Sequence, residues 1–225
     1  IEGILMAGDQ INGEHYEVND KFKVYVKKVR TTAKGPQIVV SRTSAGLVKR
    51  LFENEVPEIR QGLVVIKSIA RDAGQRTKMA VFTEESGIDP VGACVGNKGM
   101  RVNAVVSELG GEKIDIIPWC PDTLEFIARS LSPAKVVMVQ VNDDERTAKV
   151  VVMDDMLSLA IGRDGQNARL AAKLTGWKID VKPYSSLMQS EEEPEDVEEP
   201  ANVEAGDGEE LKEEAIFDED LGDLE

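Results

Sequence analysis

Histidine and cysteine are almost absent from this chain. Its 225 residues include one histidine, His15, and two cysteines, Cys94 and Cys120. Neither cysteine belongs to a Cys-X-X-Cys pair, so a zinc site has no ligand set. A single histidine leaves little room for His-based acid–base chemistry. Two cysteines in a chain this long fit a reducing cytoplasm and read as buried thiols. No apolar run approaches the roughly 18–20 residues of a membrane span, and no signal-peptide pattern opens the text. A phosphate-binding Walker loop and a Gly-X-Ser-X-Gly elbow are also missing. The adjacent pairs Asp143-Asp144 and Asp154-Asp155 would point apart on a strand and mark turns. These absences predict a protein that is not an enzyme, with no catalytic residue, metal or cofactor, in the cytoplasm and away from membranes.

The formal net charge of −15 argues at first against a nucleic-acid partner. It is unevenly spread. Positions 191–225 hold 18 acids and one lysine, a charge of −17, while residues 1–190 hold 24 acids against 26 Lys and Arg, or +2. The body of the chain is near neutral and locally basic, and its pI says little about partners. Ile1 is not Met and the text starts within a domain, so the chain reads as a fragment.

What is present is a repeat. Gly96-Asn97-Lys98-Gly99 and Gly162-Arg163-Asp164-Gly165 each sit between two apolar-periodic stretches. Each is followed by Lys-Ile-Asp and then Pro-aromatic: Lys113-Ile114-Asp115 to Pro118-Trp119, and Lys178-Ile179-Asp180 to Pro183-Tyr184. The offset is 66 residues at the glycines and 65 at Lys-Ile-Asp. One Gly-X-X-Gly is noise, but a duplicated one in a duplicated frame means two copies of one module.

Periodicity places elements around the repeat. Phe22 to Lys27 alternates apolar with basic, and Ile38 to Ser41 is a second strand after the turn Lys34-Gly35-Pro36. Phe22 and Tyr25 are core candidates, with base stacking as the other use of such aromatics. Thr43 to Gln61 turns helical. Val64 to Ala70 and Met79 to Phe82 form a hairpin across the polar stretch Arg71 to Arg76. Asp89-Pro90 starts a short helix that the first loop interrupts. Met100 to Leu109 is helical, stopped by Gly110-Gly111, and Lys113 to Ile117 is a strand. The second unit repeats this order: helix Thr123 to Leu131, strands Val136 to Val141 and Ala148 to Met153, helix Met156 to Ile161, the second loop, helix Gln166 to Leu174, and strand Trp177 to Val181. Two cores this small need to pack on each other.

The loop chemistry points to single-stranded RNA. Glycines let the backbone turn sharply and approach another chain closely. The following helix aims its unpaired N–H groups and positive dipole end at whatever lies there, which suits a phosphate. The middle residues Asn97, Lys98, Arg163 and Asp164 project outward, and bases would lie along an aliphatic groove, about four nucleotides per unit. Arg101 and Arg169 follow within one or two helical turns. Asp164 should repel phosphate, and a capping role on the next helix is expected for it. The first loop is therefore expected to grip phosphate better than the second.

At these residues the chain resembles tandem KH proteins of the prokaryotic type. Asp89-Pro90-Val91-Gly92-Ala93-Cys94-Val95 before the first loop, and Gln166-Asn167-Ala168-Arg169-Leu170-Ala171-Ala172-Lys173-Leu174-Thr175-Gly176-Trp177 after the second, resemble the NusA family of bacterial transcription elongation, termination and antitermination factors. Lys34 to Thr43 resembles the end of that family's S1 motif, an OB-type barrel. The resemblance runs from about residue 10 to 184. It implies an α+β fold: a partial OB/S1-type β-barrel at 1–43, type II KH domains (αββααβ) at 44–121 and 122–187, and a disordered acidic tail at 188–225. It implies RNA contacts at Gly96, Asn97, Lys98, Gly99, Arg101, Gly162, Arg163, Gly165, Gln166 and Arg169. Implied partners are nascent single-stranded RNA and RNA polymerase, with antitermination factors or polymerase reached through the tail, for a chain acting as a monomer. The family's N-terminal polymerase-contacting domain and the first S1 strands are missing from this text. RNA binding in ribosome assembly or RNA turnover, without polymerase, is the alternative, and a scaffold that has lost RNA binding is a third.

The tail is low in complexity and strongly acidic, which predicts disorder. Leu211, Ala215, Ile216, Phe217, Leu221 and Leu224 are spaced so that a helix could form on a partner. A plain solubilising tail, or a polyanion that competes with RNA for the basic surface, fits the composition equally.

Overall fold

The computed structural model describes residues 2–33 and 35–191. The acidic tail beyond 191, with its expected disorder and its spaced apolar residues, lies outside the described residues.

The N-terminal segment forms one three-stranded sheet. β1 (Gly3–Leu5) pairs parallel with β3 (Gly35–Ser41), and β2 (Tyr25–Thr32) pairs antiparallel with β3, in the order β1-β3-β2. The alternation at 22–27 predicts a strand from Phe22, but the ladder begins only at Tyr25. Arg42 accounts for the difference. Its guanidinium is fully buried and takes the Lys23 carbonyl at 2.8 Å, drawing that stretch out of the ladder. Phe22 packs instead against Tyr16 and under the Arg42 guanidinium, half-buried. Tyr25 is also half-buried, against the first unit's core and so close to Gly46 that a Cβ there would lie 2.7 Å from its ring.

Two helices, α1 (Ala45–Glu55) and α2 (Pro57–Arg60), open the first unit. Ser44 caps α1 by accepting from Gly46 N at 3.1 Å, and Pro57 at the first turn of α2 needs no N–H partner. Strands β4 (Val65–Asp72) and β5 (Arg76–Phe82) form a hairpin, followed by α3 (Pro90–Val95), α4 (Met100–Glu108) and β6 (Lys113–Pro118) parallel to β5. The hairpin is tighter than its polar sequence suggests. Glu112 lies beneath it, accepting from Arg71 Nε and Nη2 at 2.9 and 2.8 Å, Gly74 N at 2.8 Å and Thr77 Oγ1 at 2.6 Å. These bonds extend pairing to Asp72 and Arg76 and leave a three-residue turn.

The second unit repeats the order: α5 (Thr123–Ser130), β7 (Val136–Asn142), β8 (Thr147–Val152), α6 (Leu157–Ile161), α7 (Gln166–Thr175) and β9 (Lys178–Pro183). Its sheet runs β7-β8-β9, as the first runs β4-β5-β6, each with one antiparallel and one parallel pairing. This is the expected αββααβ pattern. A last helix, α8 (Ser185–Glu191), runs through position 188, where the sequence reading starts the tail.

Each unit has its own core. Leu47, Val48, Leu51 and Phe52 of α1 meet Met79, Val81, Cys94, Val105 and Leu109; Ile127, Leu131, Val150, Val152, Ala160 and Ala171 fill the second. Burial drives the Cys94 thiol up to about 12, with the Glu58 carboxylate adding to the effect, so it stays protonated and inert. A third cluster joins the units. Ala70, Ala80 and Ile117 on the outer face of the first sheet are covered by Phe126 of α5 and by Leu170 and Leu174 of α7. The small alanines let α7 lie close. At the same seam, buried Lys78 donates to Asp115 Oδ2 at 3.0 Å and, across the units, to the Ser132 carbonyl at 2.8 Å. Lys149 holds the matching position in the second sheet, opposite Asp180 as Lys78 is opposite Asp115, and is exposed because no described residue covers that face as α7 covers the first.

Arg42 ties the N-terminal sheet to the first unit. All five of its N–H groups are used: on the Glu14 carboxylate, the Lys23 and Glu108 carbonyls and the Glu108 carboxylate. Burial alone would raise the Glu14 carboxyl, but its bonds with Arg42 and Tyr16 outweigh that and hold it below its ordinary 4.5. The stability from Glu14 is therefore complete above about pH 4.5 and lost as pH falls through the lowered value. Glu14→Gln is expected to flatten the fall of the urea midpoint below pH 4.5. Leu170→Ala, which opens the inter-unit core, is expected to lower stability by about 2–5 kcal/mol in urea unfolding while the far-UV spectrum of the native protein is kept.

Candidate nucleic-acid interface

The two Gly-X-X-Gly loops have the same backbone. Gly96 and Gly162 have φ, ψ of 72°, 176° and 77°, 172°; Lys98 and Asp164 both have 51°, 29°; Gly99 and Gly165 have 78°, 12° and 71°, 13°. The first glycine of each loop is required twice over. Its φ is left-handed, and a Cβ would lie 2.7 Å from Arg101 Cγ at Gly96, or 2.8 Å from the Asn167 backbone nitrogen at Gly162. Gly165 has a left-handed φ but open space around it. Both α4 and α7 start directly after their loops without a side-chain cap, which leaves first-turn amides of each helix without a side-chain partner.

The residue five positions after the first glycine secures each loop. Arg101 Nη1 donates to the Ala93 carbonyl at 2.6 Å and to both Glu58 oxygens at 3.0 and 3.2 Å. Its counterpart, buried Asn167, donates to the Leu131 and Ala160 carbonyls at 3.0 Å each. Both pin the helix before the loop to the helix after it. Arg101 is thus engaged in positioning the first loop, and Arg169 is not its equivalent. The sequence pointed to Arg101 as a contact and passed over Asn167. The 66-residue offset would have aligned the two.

The capping role expected of Asp164 is not seen. In its left-handed conformation the side chain turns to solvent, 87% exposed, with Arg163 Nε at 3.6 Å. The residue bordering the helix is Gly165, which has no side chain to cap with. Asn97 and Lys98 are also carried on the exposed side of their loop. Around the second loop, Leu159 and Ile161 stand 44% and 37% exposed, an aliphatic strip beside the glycines; Met100, 69% exposed, flanks the first.

The second loop also meets the first unit. Gln166 Nε2 donates to Asp72 Oδ2 at 2.8 Å and Gln75 Oε1 at 2.9 Å, and Arg169 Nη2 lies 3.5 Å from Asp72 Oδ2. Among the described residues no group of three or more His, Cys, Asp or Glu side chains could hold a metal ion, and no helix is long and apolar enough to cross a membrane.

This geometry has known counterparts. The family described as NusA-like first KH domain matches residues 42–119, and NusA-like second KH domain matches 123–189. The chain belongs to the NusA family. It is 57% identical over 189 residues to the transcription termination/antitermination protein NusA of Halalkalibacterium halodurans, covering 84% of this chain and 50% of that one. It is 55% identical over 199 residues to the NusA of Bacillus subtilis, covering 88% and 54%. Against the NusA of Mycobacterium tuberculosis it is 52% identical over 182 residues, covering 80% and 52%. The chain thus spans about half the length of these NusA relatives. The paired loops, on successive NusA-like KH domains, are the feature that sequence and structure both single out.

A Cβ at Gly162 would strike the Asn167 backbone, whereas at Gly165 it meets open space. Gly162→Ala is therefore expected to destabilise the fold by more than Gly165→Ala, for which the left-handed backbone alone costs about 1–2 kcal/mol. Thermal melts of the two variants measure the difference.

Proposed function

We propose that this chain is the RNA-binding platform of a NusA-type factor that holds nascent single-stranded RNA at RNA polymerase and modulates elongation, pausing, termination and antitermination. The observation that carries the proposal is the repeated loop: two turns of the same backbone, each opening onto a helix N-terminus without a side-chain cap, on two docked KH domains, an arrangement that suits an anion. One strand laid across both would meet Gly96, Asn97, Lys98 and Gly99, then Gly162, Arg163, Gly165, Gln166 and Arg169. Arg101 supports the first loop from below through Glu58. The first loop grips phosphate more strongly, because Lys98 has no acidic neighbour in its loop while Arg163 shares its charge with Asp164.

The N-terminal sheet adds the exposed basic residues Lys28 and Arg30 of β2, beside Lys27, whose ammonium donates to Asp9, consistent with the remainder of an S1-type barrel. RNA polymerase is the expected protein partner, with antitermination factors or polymerase engaged through the acidic tail. The work is binding without chemistry, in the cytoplasm, by a monomer that needs no cofactor. Domain limits at 1–43, 44–121, 122–187 and 188–225 express the same reading. Co-purification with RNA polymerase separates it from a role in ribosome assembly or RNA turnover.

Combining Asn97→Asp, Lys98→Asp and Arg163→Asp places carboxylates at both loop tips. Single-stranded RNA binding is expected to weaken at least about tenfold at 0.1 M salt, with log affinity falling by about 0.7 per phosphate contact per log unit of salt in the parent protein. Unchanged affinity in a variant with an intact circular dichroism spectrum overturns the loop assignment.

A further inference from the structure

The seam between the two KH domains encloses a polar cavity of about 430 Å³, lined by Asp72, Gln75, Arg163, Asp164, Gln166 and Arg169. Two of these come from the first domain's hairpin, Asp72 at the end of β4 and Gln75 in the turn after it, and four from the second loop and the first turn of α7. Loop 1 has no equivalent among the described residues. At the 66-residue offset Met100 and Asn103 stand where Gln166 and Arg169 do, and no hairpin of another domain faces them.

We propose that this seam is a base-reading subsite for one nucleotide of the bound strand, in which Asp72 favours a base with an amino donor and disfavours uracil. The proposal rests on the single-stranded RNA reading above and names the base chemistry that the loops alone leave open.

The hydrogen-bond pattern sets the polarity of the site. An ionised carboxylate only accepts, so the Gln166 amide must turn its nitrogen toward Asp72. That nitrogen's second hydrogen goes to Gln75 Oε1. Gln166 Oε1 and Gln75 Nε2 are then left for a ligand, and Asp72 Oδ1 accepts no bond among the described residues. The cavity thus presents a fixed carboxylate acceptor, with the Arg163 and Arg169 cations beside it for the adjoining phosphate. Guanine, adenine and cytosine each offer an exocyclic amine to such an acceptor. Uracil has only N3–H between two carbonyl oxygens, whose lone pairs would face the carboxylate.

Domain docking does not need this cluster. The apolar contact of Leu170, Leu174 and Phe126 with Ala70, Ala80 and Ile117, and the buried Lys78 bond to Ser132, already hold α7 in place. The Asp72 and Arg169 side chains are 33% and 49% exposed, and an ion pair so open adds little stability. The same docking fixes the site before RNA arrives, which removes an ordering cost from recognition.

The test uses the full chain and a panel of labelled 12-nucleotide single-stranded RNAs, in which uridine replaces adenosine at one position at a time. Fluorescence anisotropy should show one position, between the stretches held by the two loops, where uridine weakens binding by about tenfold, within the range for losing a specific base contact. Asp72→Asn presents an amide that can donate or accept. It is expected to cut that discrimination to about threefold or less while the other positions keep their profile. Gln75→Ala, which frees the Gln166 amide to rotate, should weaken the same preference in part. A flat wild-type profile overturns the proposal. So does an Asp72→Asn variant that binds every RNA more tightly but keeps the uridine penalty, since Asp72 would then act only as a repulsive charge. Failure of the wild type to bind any of the RNAs would remove the RNA reading itself.

Discussion

The contact on which the rest of this molecule depends is the burial of the first KH sheet's outer face beneath the helices of the second KH domain. A three-stranded sheet backed by helices on one side leaves its other side open. In the first domain Ala70, Ala80 and Ile117 make that side apolar and shallow, and α7 fills it with Leu170 and Leu174. Because α7 starts directly after the second Gly-X-X-Gly loop, the contact that buries apolar area also places that loop against the first domain's hairpin turn. Stability and the relative placement of the loops thus come from one interface. The second sheet shows the alternative. Gln140, Lys149, Asp180 and Lys182 make its outer face polar and exposed among the described residues.

Buried charge accompanies the apolar contact at every junction. Arg42 joins the N-terminal sheet to α4, Arg71 and Glu112 hold the hairpin over the first domain, and Lys78 reaches the second. Arg42 has five acceptor atoms around it and Glu112 four donors, whereas at Lys78 burial outweighs the bonds to its partners and lowers the ammonium pKa. Pairs like these add less net stability than apolar residues of the same size could, but leaving one partner alone in the interior is costly. They therefore fix geometry more than they deepen the energy well, and here the geometry of turns and junctions decides where the loops face.

The two loops show how a duplicated module diverges around a conserved backbone. Dihedral angles agree within a few degrees, because left-handed φ at three of the four positions leaves no freedom. The side chain beneath the loop has changed from Arg101 to Asn167 while still bonding to carbonyls of the preceding helix. The tip has changed from Asn-Lys to Arg-Asp, and only the second loop faces another domain. In the proposed reading, shared backbone with different surroundings would give the two loops unequal phosphate affinity and let the second also read a base.

The element order of both KH units, the loop positions and the separation of the acidic tail's charge from the body were legible in the sequence. Each is encoded locally, in apolar period, in glycine spacing or in runs of like charge. Nothing local in the sequence marks Lys78 or Arg42 for burial; only their tertiary partners bury them. The delayed start of β2 at Tyr25 follows from a bond between residues 19 positions apart in sequence, which alternation does not encode. Arg101 as a support and Asp164 as an uncapped, solvent-facing residue likewise depend on backbone angles that residue types only suggest. Sequence by itself determined that there are two copies of one module, because period and spacing are local properties of the chain. Tertiary structure alone decided that one copy's loop sits on the other copy's hairpin, because that requires two surfaces distant in sequence to fit and exclude water together.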